Sequence, residues 1–103
     1  MPKTLDSEIT RLASKYEQDE VLVRAIMKCE SSMYPDVNHV NKNGTKDVGY
    51  FQINTVHWQR ALNLGYDVVN DKWDNLEFGF LLLKEQGTRP WNASKSCWLP
   101  QGG

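Results

Sequence analysis

The chain has 103 residues, 40% of them hydrophobic and 4 of them tryptophan, with a formal net charge of −1. That length predicts one domain over residues 1–103, with its core over about 5–98, and the apolar content excludes a disordered chain. The near-neutral charge balance argues against a nucleic-acid partner, which calls for a basic field, and no apolar run is long enough to span a bilayer.

The opening residues, Met1 to Asp6, hold no apolar signal core, so the expectation is a leader removed beforehand or another export route. Gly102-Gly103 reads as a tail. The first helix is expected over 5–17, with Leu5, Ile9, Leu12 and Tyr16 on one face and Asp6 or Ser7 as its cap. Glu8, Arg11, Lys15 and Glu17 are expected to face water.

Asp19 suits the cap of a second helix over about 20–31. Leu22, Ala25, Ile26 and Cys29 make its apolar stripe. Glu30 borders that face at the helix end. Pro35 is expected to stop the helix, and the Asn-, Asp- and Lys-rich segment 36–47 to form a small irregular hairpin around Asn43-Gly44, ending near Asp47. Gly49 frees the backbone to turn or to approach a ligand.

Asn54 or Thr55 can cap a third helix over about 55–63, with Val56, Ala61, Leu62 and, in part, Trp58 inward and Gly65 as its stop. Asp71 or Asp74 opens the longest helix, which runs to about Gln86 and is punctuated by Gly87. Trp73, Leu76, Phe80, Leu82 and Leu83 mark it as core, and Gly79 within it points to close packing. A short helix is expected from about Pro90. Cys29 and Cys97 fit no zinc motif. They are two buried thiols or one disulfide, and the disulfide is the expectation, tying the Glu30 helix to the tail in an oxidising compartment.

The chemistry concentrates between Glu30 and Asn54. Glu30-Ser31 closes an apolar helical run, and Asp47 follows 17 positions later, just before Gly49-Tyr50-Phe51-Gln52-Ile53-Asn54. Two carboxyls flanking a sugar-sized gap suit a glycosidic bond. One protonates the leaving oxygen, and the other, ionised, stabilises or traps the oxocarbenium ion.

These residues resemble the lysozyme-like superfamily, including the soluble lytic transglycosylase domain, whose pattern is Glu-Ser, a variable loop, then Gly-Leu-Met-Gln-Ile. Asp74-Asn75-Leu76 looks like the Asn-Ile opening of that family's next long helix, and Trp91-Asn92-Ala93 sits where the family has Tyr-Asn-Ala-Gly. The resemblance covers about residues 19–98. Asp47-x-Gly-x-x-Gln-Ile-Asn looks instead like chicken-type lysozyme, where an aspartate follows the glutamate at this spacing. Trp91 and Ser94 depart from the family tyrosine and glycine.

The resemblance implies an α+β, mostly α, lysozyme-like fold with a small hairpin beside the catalytic helix. It implies a peptidoglycan-degrading muramidase that cleaves the β-1,4 bond between N-acetylmuramic acid and N-acetylglucosamine. Glu30 would be the general acid and Asp47 the nucleophile or stabiliser. The alternatives are a lytic transglycosylase, with 1,6-anhydro products and Glu30 acting alone, and a non-catalytic peptidoglycan-binding module. Ser31, Gly49, Tyr50, Gln52, Asn54, Trp91 and Asn92 are expected at the substrate, with Ser31 supporting Glu30 and Tyr50, Trp58 or Trp91 stacking on a sugar. His39 and His57 are expected to be surface or core residues. No metal or cofactor is implied. The expected partner is the peptidoglycan glycan strand, met by a monomer in an extracellular, periplasmic or cell-wall setting.

Overall fold

A computed structural model describes residues 2–100; the Gly102-Gly103 tail lies outside them. Helix α1 spans Leu5–Lys15. Its cap is Thr4, earlier than the expected Asp6 or Ser7. The Thr4 hydroxyl accepts from Ser7 N–H at 3.1 Å, and Ser7 Oγ in turn accepts from Thr4 N–H at 3.3 Å. This reciprocal pair satisfies donors that a helix start leaves open. Asp6 is instead engaged by Arg24 at 2.8 Å. Ile9 and Leu12 are buried as expected. Glu8, expected in water, is buried as well. The Arg11 fork grips both its oxygens, at 3.1 and 2.9 Å, and that bond holds its carboxyl below the usual range.

Helix α2 spans Glu20–Ser31, with Asp19 accepting from Val21 N–H at 2.9 Å. Its buried face is Val23, Ile26 and Met27, rotated from the expected stripe; Leu22, Ala25 and Cys29 are only partly covered. Apolar residues cover more than half of its circumference, leaving Glu20, Arg24 and Lys28 on one side, so their spacing did not fix which part of that broad face is buried. The helix ends at Ser32, which adopts φ +55°, and Met33 follows at φ +68°. The left-handed turn, not Pro35, is the stop.

Three short antiparallel strands follow in the order β1-β2-β3: β1 Asn38–Val40, β2 Lys46–Val48 and β3 Ile53–Asn54. The expected hairpin is β1-β2, closed where Asn41 N–H donates to Thr45 O at 2.8 Å and Gly44 adopts φ +87°. Strand β3 extends it. The register sets His39 opposite Asp47 and Asp47 opposite Asn54.

Asn54 caps a 3-10 turn, Thr55–His57, which leads into the short helix α3, Trp58–Asn63. The expected single helix is thus two pieces lying on the surface. Val56, expected inward, is 73% exposed, and Leu62 is exposed too. Ala61 is buried in the core and Trp58, partly buried, packs against it, which suits a six-residue helix with little area to bury.

Helix α4, Lys72–Gln86, starts at Asp71, which accepts from Trp73 and Asp74 N–H at 2.9 and 3.1 Å. Leu76, Phe78, Phe80, Leu82 and Leu83 are buried around most of its circumference, so it forms the centre of the domain. A Cβ on Gly79 would lie 2.0 Å from the Phe51 ring. The aromatic of the central stretch therefore rests directly on the α4 backbone. A 3-10 segment, Arg89–Ser94, and helix α5, Lys95–Trp98, follow. The expected Cys29–Cys97 disulfide is present and joins α2 to α5. No helix among the described residues is long and apolar enough to cross a membrane. The architecture is the expected α+β, mostly α one, with the small hairpin beside the Glu30 helix.

Candidate active site

Glu30 sits one residue from the end of α2, at the border of its buried face. Asp47 sits on β2. Both border one cleft of about 340 Å³, within the range of ligand-binding clefts, together with Gln52 and Ser94 and with Cys29, Val37, Asn38, His39 and Ala93. Burial pushes the Glu30 carboxyl above its usual range. A hydrogen bond donated by Ser94 Oγ to Glu30 Oε2 pulls the other way, and the charge of Asp47 adds to the rise.

The Asp47 carboxylate is fixed through both oxygens. Asn54 Nδ2 donates to Oδ1 at 2.7 Å, and Asn41 Nδ2 to Oδ2 at 3.1 Å. Each amide also donates to Thr45 Oγ1, at 3.1 and 3.0 Å. Asn54 Oδ1 caps the following turn by accepting from Val56 N–H at 3.1 Å. Asn54 is thus engaged within the protein through both ends of its amide, and it braces Asp47.

Several residues expected at the substrate turn out to build the wall. The Ser31 hydroxyl is buried and shared between the carbonyls of Met27 (3.1 Å) and Tyr50 (2.8 Å). It ties the end of α2 to the central stretch instead of supporting Glu30 directly. Tyr50 is 4% exposed and belongs to the core. Trp91, expected to stack on a sugar, is 3% exposed. Its Nε1–H donates to Phe51 O at 2.8 Å, its ring meets Phe51 at 5.4 Å, and its carbonyl accepts from Trp98 Nε1–H at 3.0 Å. Trp58 donates its indole N–H to Ile53 O at 3.0 Å. Asn92 is exposed and outside the residues lining the cleft.

Gly49 is needed for a reason other than ligand approach. It adopts φ +79°, and a Cβ there would lie 2.4 Å from Asn75 Nδ2. Asn75 is 1% exposed. It donates to Val48 O (2.9 Å) and Val68 O (3.0 Å), and its Oδ1 accepts from Phe51 N–H at 3.2 Å. One amide of α4 thereby holds the segment between β2 and β3. Gln52 does face the cleft, at φ +52°. Both its amide protons go to carbonyls, Val37 O at 2.8 Å and Gly49 O at 2.9 Å. Its side-chain oxygen is the group it can offer a ligand.

Sequence reasoning assigned no role to Asn41, Asn75 or Ser94. Asn75 was visible only inside the Asp74-Asn75-Leu76 motif, and Ser94 as a departure from a family glycine and as the end of the weak sequon Asn92-Ala93-Ser94. Asn41 gave no signal beyond lying in a polar loop, and His39 was not expected at the cleft. Among the described residues no cluster of three or more His, Cys, Asp or Glu is arranged to hold a metal.

A half-buried acid, a locked carboxylate and a polar cleft are the ingredients of glycosidic bond cleavage. The Transglycosylase SLT domain family matches residues 7–98 of this chain. The chain therefore belongs to the transglycosylase SLT family, a lysozyme-like superfamily of enzymes that degrade peptidoglycan. Among curated proteins, Protein IpgF of Shigella flexneri and Protein IpgF of Shigella sonnei are each 36% identical to it over 56 residues, 54% of this chain. The matched stretch spans 37% of the length of either relative.

Proposed function

We propose that this domain cleaves the β-1,4 bond between N-acetylmuramic acid and N-acetylglucosamine, with Glu30 as the acid and Asp47 as the charge opposite the oxocarbenium ion. The observation that carries the reading is the pairing of a carboxyl whose proton affinity is raised by burial with a carboxylate locked by two amides, on one cleft. Glu30 gives its proton to the glycosidic oxygen, and the bond from that oxygen to C1 breaks. Positive charge spreads over C1 and the ring oxygen, where the Asp47 carboxylate stabilises it. The muramic acid C6 hydroxyl then attacks C1 and returns its proton to Glu30, closing a 1,6-anhydro ring.

Family membership favours this ring-closing outcome. Hydrolysis is the second reading, and Asp47 favours it: a fixed carboxylate at lysozyme-like spacing can hold the cation until water arrives. The domain works as a monomer outside the cytoplasmic membrane, where peptidoglycan lies. Mass analysis of products from purified peptidoglycan separates the outcomes. Anhydro ends are expected, reducing ends would install the hydrolase, and no cleavage would leave a binding module.

A further inference from the structure

The Ser94 hydroxyl donates a hydrogen bond to Glu30. It arrives from the far end of the chain, 64 positions away, on the 3-10 segment that precedes α5. Its Oγ also lies 3.2 Å from Trp91 O. Trp91 is itself anchored through its indole N–H to Phe51 O, so the segment carrying Ser94 is fixed to the cleft wall. Three positions beyond Ser94, Cys97 is bonded to Cys29, the neighbour of Glu30. The contact is thus held from both sides.

The bond is made to Oε2 alone, which leaves Oε1 as the oxygen that can carry a transferable proton. A hydroxyl donating to a carboxyl interacts more strongly with the ionised form. Its hold therefore tightens as the proton leaves Oε1. We infer that Ser94 is a positioning residue for the acid step: it orients the Glu30 carboxyl so that Oε1 presents the proton, and it stabilises the carboxylate left behind. The inference rests on Glu30 being the acid proposed above. The other titratable groups on the cleft are Asp47 on β2, whose charge acts in the opposite sense, and His39 on β1.

The test compares wild type with Ser94→Ala, Ser94→Gly and Ser94→Thr on a soluble peptidoglycan oligosaccharide. Two readouts are followed: the pH profile of kcat/KM, and the titration of the Glu30 carboxyl carbon by NMR, which separates it from His39 and Asp47. An acid must be protonated to act, so activity falls as pH rises through its titration. Loss of the Ser94 donor should move that falling limb, and the Glu30 titration with it, upward by about 0.5–1 pH unit in the Ala and Gly variants. The Thr variant, which keeps the hydroxyl, should return both toward wild type. A Glu30 titration unchanged in Ser94→Ala and Ser94→Gly would overturn the inference, even if turnover fell. The reading of Glu30 fails by a different result: cleavage retained in Glu30→Gln, or an activity limb that stays fixed while the Glu30 titration moves.

Discussion

Glu30 owes its proton affinity to groups from three parts of the chain: the apolar wall around α2, the Asp47 carboxylate on β2 and the Ser94 hydroxyl near the end. Its position at a helix end was legible in the sequence, because α2 has an Asp cap and a clear apolar run. The wall was not, since burial depends on what packs from elsewhere. Trp91 shows the same limit. An indole near a cleft reads as a stacking surface until its N–H is found on Phe51 O. The raised affinity of Glu30 has a consequence for stability, with a definite sign. A carboxyl that ionises later in the folded protein than in the unfolded chain costs stability as pH rises from its ordinary range through its raised folded value, and the full cost persists above that. Glu30→Gln removes this cost and keeps an oxygen to accept from Ser94. The variant should therefore melt at a higher temperature than wild type near neutral pH. The gap should close as pH falls below the ordinary glutamate range, to about 3, where Glu30 is protonated in both states. Thermal melts across that range check it; a gap that widens toward acid would contradict the assigned direction.

At the scale of elements, α4 shows how close packing outweighs intrinsic preference. The apolar series from Leu76 to Leu83 and the closing Gly87 made the extent of this helix readable, while the choice of Asp71 over Asp74 as its cap and the burial of Phe78 were not. Strand β3 was not readable: two residues carry too little pattern, and their pairing depends on β2. The rotated face of α2 had the same cause, since a helix apolar on most sides leaves its orientation to its neighbours. Gly79 was read as a packing site, and Phe51 is what packs there. Replacing glycine by alanine inside an exposed helix ordinarily gains up to about 1 kcal/mol. Here the added methyl would overlap the Phe51 ring, which is wedged against Phe80 at 5.8 Å and Trp91 at 5.4 Å and has little room to yield. Overpacking of this kind costs about 1–3 kcal/mol, so Gly79→Ala should destabilise the domain despite the helix preference. Urea unfolding gives the sign directly. Because Phe51 also contributes the carbonyl that holds Trp91, cleavage should weaken with it.

The whole molecule is closed by one covalent link, between the residue before Glu30 and a residue in the last described helix. The general architecture was legible because ordered motifs spread over most of the chain point to one fold. The pairing of Cys29 with Cys97 was an open choice between two thiols and a bridge until α5 was seen to lie against α2. The loop it closes covers 68 positions, and in the chain-entropy account a loop of that size restricts the unfolded state by about 4 kcal/mol, a common upper range for one bridge. For a domain of 103 residues that is a large part of a typical total stability of about 5–15 kcal/mol. Reduction should therefore lower the melting temperature strongly. A second effect follows from position. Ser94 lies three residues before Cys97, so a freed tail loosens the hydroxyl that faces Glu30. In Cys29→Ser/Cys97→Ser, measured well below its melting temperature, the falling limb of the activity profile should shift upward in the same direction as in Ser94→Ala. Peptide mapping without reductant should recover the linked pair from the native protein. Two freely alkylated thiols in never-reduced protein, or a double variant with unchanged melting, would remove the bridge from this account.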